Sequence, residues 1–138
     1  MSGETDLQLL LASMAPHLAP DVYVFATVPR GTPMPAGVDA VMSFREAEGT
    51  TLILREEDAR NAGVEAAFAC RMVTLDIHSS LEAVGFLAAI TTHLAAAGMG
   101  VNPVSAFYHD HLFVPAARAD EAMVLLKQLA AEAARPHE

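Results

Sequence analysis

Two short segments hold residues whose types and spacing can do chemistry: His78-Ser79-Ser80 and His109-Asp110-His111. Serine hydroxyls beside the free amide N–H groups of a helix start bind an anion such as a carboxylate. Asp110 can receive an ammonium group, so the two segments together could recognise a zwitterion; Leu81 and Asn102 join the candidate ligand-binding set. The same residues allow other chemistry. His78, His109 and His111 with one nearby carboxylate are chemically adequate for zinc, although hairpin geometry splays residues flanking a turn and the pattern matches no known ligand spacing. A Ser79–His78–Asp110 relay can be drawn, but adjacent Ser and His side chains diverge. Asp110 also suits a tight turn closed through its own side chain. Ser79-Ser80-Leu81-Glu82 reads as a capping box, which explains both serines without a ligand.

A second candidate group is Phe44, Arg45, Glu46 and Glu48, where charge is mixed into a strand. Alternation puts Phe44 and Glu46 on one face and Arg45 on the other. A cross-strand ion pair is the simpler account; a second effector pocket or a dimer contact is the other. Cys70 lies in an apolar strand with only Arg71 adjoining it, the setting of an inert buried thiol. As the single cysteine it excludes an internal disulfide and any multi-cysteine zinc site. The templates for nucleotide phosphates, serine hydrolysis and zinc proteolysis are all missing. Gly98-Met99-Gly100 lacks a third glycine and ends a helix, so it is no dinucleotide fingerprint.

The elements that must position these groups follow from pattern. Thr5-Asp6-Leu7-Gln8 fits a capping box with Thr5 as the cap, opening a helix over about 6–15 that Pro16 stops. A central strand over 22–28 leads into a Pro- and Gly-rich loop. Strands over 41–46 and 50–55 follow, joined at Ala47-Glu48-Gly49 with the glycine supplying positive φ. A short helix closes at Gly63. A long strand runs over 66–77, bent near Cys70-Arg71, and a helix runs from the second capping box to about Ala97. A strand over 101–108, a hairpin partner over 111–115 and an amphipathic helix over 120–134 complete the chain. On the helix that ends near Ala97, Ala83, Leu87, Ile90, Leu94 and Ala97 form a core stripe, with Gly85, Ala89, Thr92 and Ala96 roughly opposite. That second stripe suits a close approach at a module or subunit interface.

The halves read α-β-β-β-α-β and β-α-β-β-α, sharing the run 66–77. Neither is a complete β-α-β-β-α-β unit. Strands lent between units, within the chain or across a dimer, would complete both. The expected fold class is α+β in two layers, with modules over 1–64 and 65–138. Each is marginal alone at that size.

Composition bounds the function. With 53% hydrophobic and 18% charged residues, disorder is excluded. A net charge of −9 with scattered bases argues against nucleic-acid partners and anionic membrane surfaces. The uncharged stretch 83–109 is broken by Thr91, Thr92, His93, Gly98, Gly100 and Pro103, so no membrane span is expected. The acidic N-terminus does not suit a signal peptide, and a cytoplasmic protein is expected.

Three blocks carry a family resemblance: Phe44-Arg45-Glu46-Ala47-Glu48-Gly49-Thr50-Thr51-Leu52-Ile53-Leu54, His78-Ser79-Ser80-Leu81-Glu82-Ala83-Val84-Gly85, and His109-Asp110-His111-Leu112-Phe113-Val114-Pro115. The chain resembles small bacterial tandem ACT-domain proteins, similar in build to the eukaryotic cytosolic arginine sensors. The resemblance implies two ferredoxin-like modules with antiparallel sheets and helices on one face, commonly dimeric. It also implies a small effector, typically an amino acid, bound between modules near the strand-to-helix loop and its glycine, which matches Gly85. Many ACT domains carry an acid followed by a proline in this loop, where His78-Ser79-Ser80 stand here. The function expected is amino-acid sensing through module or dimer packing, with no catalytic residues, cofactor or metal. The alternatives are a ligand-free interaction module, or a metal-dependent enzyme built on His78, His109 and His111.

Overall fold

The computed structural model describes residues 6–135. Helix α1 (Leu7–Ser13) is followed by strands β1 (Ala15–Pro29), β2 (Ala40–Arg45) and β3 (Gly49–Arg55), then helix α2 (Glu56–Ala62) and strand β4 (Glu65–Asp76). Helix α3 (Phe86–Ala96), strands β5 (Asn102–Ser105) and β6 (Asp110–Pro115), a 3-10 turn and helix α4 (Ala119–Ala133) complete the order. The chain forms two compact units, one from residues 20–70 and the other from 6–19 together with 71–135. Long strands make this possible: β1 and β4 each contribute residues to both units.

In the 20–70 unit the strand order is β2-β3-β1-β4, with β2/β3 and β3/β1 antiparallel. Alternation turns Val24, Ala26 and Val28 of β1 and Leu52 and Leu54 of β3 into one apolar core with Ala59 of α2. Gly63 ends α2 in the left-handed region (φ 67°), as its position implies. Gly49 does not. It has no positive φ; instead a Cβ there would lie 2.5 Å from the Val28 carbonyl oxygen. The register pairs Gly49 with Pro29, so the glycine is required for close backbone approach, not for turn handedness. The irregular residue of β4 is Phe68 (φ 62°), whose ring lies 6.0 Å from that of Phe25, rather than the Cys70-Arg71 step. Cys70 is fully buried and donates to the Tyr23 carbonyl at 3.3 Å. Burial pushes its thiol up to about 11, which keeps it unreactive.

In the other unit the order is β1-β4-β6-β5, with β5/β6 antiparallel. Val73 and Leu75 of β4 and Leu112 and Val114 of β6 point to one face, where α1, α3 and α4 cover them with Leu10, Ile90, Leu94 and Leu126. Asp6 caps α1 by accepting the Leu9 amide at 2.9 Å, so the cap lies one residue later than expected; Thr5 is outside the described residues. Gln8 does not close a capping box either. Its side-chain amide donates to the Ala133 carbonyl and ties α1 to the end of α4. Arg118 donates to the carbonyls of Ala97 and Gly98, satisfying orphan acceptors at the end of α3. Of the small stripe on α3, Thr92 and Ala96 are exposed and Ala89 is partly buried.

His111 is partly buried on β6, with Nδ1 2.9 Å from the Thr74 hydroxyl. Burial lowers its pKa, the charge of His109 lowers it further, and Asp110 opposes both. A depressed imidazole contributes stability that is complete above the unfolded value of about 6.5 and is lost as pH falls through that value toward the folded one. Thermal unfolding of wild type should therefore lose more stability than H111Q between pH 7 and 5. Denaturant titration should show Gly49→Ala costing about 1–3 kcal/mol through the backbone clash. Gly100→Ala, with open space around its Cβ and no positive φ, should be neutral or stabilising.

Candidate functional site

After β4 the chain turns tightly, with the Ile77 amide donating to Leu75 and the Ser79 amide to Ile77. A second turn closes where the Ala83 amide donates to the Ser80 carbonyl at 3.0 Å and the Glu82 amide to the Ser80 hydroxyl at 3.1 Å. This uses Ser80 locally, so the expected capping box does not form and α3 begins at Phe86, six residues later than that box implies. Gly85 is its N-cap at φ 88°, a conformation that favours glycine, and no side chain caps the helix. The first intrahelical donor in the ladder is Ala89, bonded to Gly85.

Opposite lies the β5–β6 hairpin. Ser105 pairs with Asp110, and the Ala106 amide donates to the His109 carbonyl, leaving Phe107 and Tyr108 exposed at the tip. Asp110 begins β6 but its side chain turns under the surface, with only 8% of the residue exposed. The Ser105 hydroxyl donates to one carboxylate oxygen and the Ser79 hydroxyl to the other, the latter at 3.2 Å. The expected meeting of the two segments is therefore made through Ser79 and Asp110. Among the described residues no lysine or arginine forms an ion pair with this carboxylate. Two hydroxyl bonds occupy about half of a carboxylate's roughly four acceptor positions.

A cavity of about 80 Å³ opens at this point, lined by Ser79, Ser80, Leu81, Ala83, Ser105, Ala106 and Asp110, and by Phe86 and Leu87 from the first turn of α3. Of the candidate set, Ser79, Ser80, Leu81 and Asp110 reach it, and Gly85 stands immediately before the helix turn that does. The histidines point elsewhere. His78 lies against Tyr108 and Phe107, with ring centroids 5.6 and 6.3 Å away. His109 approaches the Ile77 carbonyl at 3.4 Å, and His111 holds Thr74. Among the described residues no three His, Cys, Asp or Glu side chains gather to hold a metal ion, so the three-histidine centre is not assembled. Asn102 is exposed on β5 opposite Phe113, outside the cavity lining. Ser105 was missed by sequence reasoning, though a four-residue turn between Ser105 and Asp110 would have placed it opposite the carboxylate.

The second candidate group lies on the β2–β3 hairpin of the 20–70 unit. Phe44 is exposed opposite Thr51, and Arg45 is exposed opposite Thr50. The expected cross-strand ion pair is absent among the described residues: Glu46 instead accepts the Thr51 hydroxyl. Glu46 also borders an open groove of about 400 Å³ with Phe25, Thr27 and Glu65, which Phe44, Arg45 and Glu48 do not line. No described helix is long and apolar enough to cross a membrane.

Two family models match the chain in tandem, both described as ACT domain, over residues 2–71 and 67–128. A solved protein of unknown function from Vibrio cholerae, described as a possible transport protein, is 41% identical with a TM-score of 0.81, covering 90% of this chain and 95% of that one. A protein from Agrobacterium tumefaciens shares the fold at 18% identity and a TM-score of 0.74, covering 85% and 89% of the two chains. The regulatory subunit of aspartate kinase from Thermus flavus shares it at 14% identity and a TM-score of 0.62, covering 83% and 95%. No curated protein matches. The chain belongs to the ACT-domain family and carries two ACT domains in tandem.

Proposed function

We propose that the protein is a regulatory amino-acid sensor and that it holds its ligand in the cavity beneath the 79–87 segment. One observation carries the reading: Asp110 is buried without an ion-pairing lysine or arginine among the described residues, in a cavity also lined by the first turn of α3. A buried carboxylate held by neutral hydroxyls gains from a cation that takes its remaining acceptor positions. The α-ammonium of a free amino acid is such a cation. Its carboxylate would meet the first-turn amides of α3, whose dipole favours negative charge. Membership of the ACT family and the fold shared with aspartate kinase regulatory subunits support regulation as the use of such binding. The ligand would act by stabilising one packing over another. A homodimer is the simplest assembly for this, and the exposed, uncharged Ala88, Thr92, Ala95 and Ala96 of α3 are compatible with one.

A thermal-shift series with the twenty amino acids at millimolar concentration tests the reading. A ligand at about a hundred times its Kd adds about 2.7 kcal/mol, several degrees in Tm. Stabilisation by none of the twenty removes the proposal. D110N keeps the shape of the carboxylate but not its charge and should weaken binding by about 10–100-fold, the worth of a charge-assisted hydrogen bond. Size-exclusion chromatography with light scattering should show a dimer whose population shifts with ligand. A monomer in both conditions removes the dimer from the reading.

A further inference from the structure

The Asp110 cavity runs from a buried floor to an exposed rim. Ser79, Ser80, Phe86 and Asp110 are buried, whereas Leu81, Ser105 and Ala106 are exposed and leave the cavity open to solvent. An amino acid held by Asp110 and the first turn of α3 has both of its charged groups on the floor. Its side chain then leaves past the rim, where neither its length nor its charge is limited by walls. What it meets there is apolar. Leu81 is 67% exposed, and beyond Ala106 the hairpin tip carries Phe107 and Tyr108, 61% and 64% exposed. Those two aromatic residues stand where a turn ordinarily takes glycine, asparagine or aspartate. No lysine or arginine lines the cavity, and Glu82 is the only Asp, Glu, Lys or Arg from 81 to 109. An acidic side chain therefore finds no counter-charge at the rim, and a basic one finds only an exposed carboxylate, a pairing worth little. Apolar carbon laid over Leu81 takes both surfaces out of water.

We infer that the site selects amino acids with a sizeable apolar side chain, of the leucine, methionine or phenylalanine kind, which covers Leu81 at the rim. This rests on the reading that the cavity binds an amino acid, and the test separates the two. Each methylene taken fully out of water is worth about fourfold in an equilibrium constant, so the three carbons by which leucine exceeds alanine give about eightfold when half covered. Titration calorimetry of the full chain would compare leucine, methionine and phenylalanine with alanine, glutamine, lysine and glutamate. At least one of the first three should bind fivefold or more tighter than each of the other four. A smaller advantage over any of the four overturns the selection while leaving amino-acid binding intact. Binding of none of the seven overturns the selection, and extension to all twenty then decides whether the cavity takes an amino acid at all. Leu81→Ser removes the apolar rim at an exposed position, so the ligand-free Tm should hold. It should lower the affinity ratio of leucine to alanine at least threefold with alanine binding unchanged; a smaller fall counts against the inference.

Discussion

The Asp110 carboxylate is the joint on which the local structure turns. It lies under the surface and bonds Ser79 on one side and Ser105 on the other. The Ser79 bond ties the loop after β4 to the β5–β6 hairpin, and the Ser105 bond ties the two strands of that hairpin to each other. Burying a charge is costly unless polar partners surround it. The hydroxyls meet part of that need, and each is thereby fixed in rotamer. Ser79 is committed to the hairpin and Ser80 to its own turn, so neither caps α3. The helix must begin after Gly85, and its first turn therefore faces the cavity without a side-chain cap.

Element order was legible because it rests on local pattern. The alternation of Val24, Ala26 and Val28, the Leu125-Leu126 and Leu129 spacing on α4, and the glycine after α2 each act within a few residues. Both half-readings, α-β-β-β-α-β and β-α-β-β-α with β4 in common, match the observed order. What escaped depended on groups far apart in sequence. Gly49 looked like a turn residue because the carbonyl that excludes a Cβ belongs to Val28 on another strand. Gln8 looked like a capping residue because its partner, the Ala133 carbonyl, is at the far end of the described chain.

The site shows the same division. The expectation that the two segments act together anticipated the meeting of Ser79 and Asp110. It was not enough to aim the histidines. Each has a nearby alternative: Tyr108 and Phe107 for His78, the Ile77 carbonyl for His109, and Thr74 for His111. The three imidazoles thus each take a separate neighbour that composition does not reveal, although the rings of His109 and His111 lie 6.4 Å apart. Asn102 faced a similar limit, since its register opposite Phe113 sets it on an exposed strand away from the cavity.

Cys70 has a consequence of another kind. It is the single thiol of the chain, fully buried, and bonded to a carbonyl of β1 from β4. An external thiol reagent can reach it only when those neighbouring strands part. Its rate of labelling is therefore a local opening constant, written into the native sequence without any introduced probe. Where global unfolding averages over the whole molecule, this one sulfur would follow the fraying of a single strand pair in time.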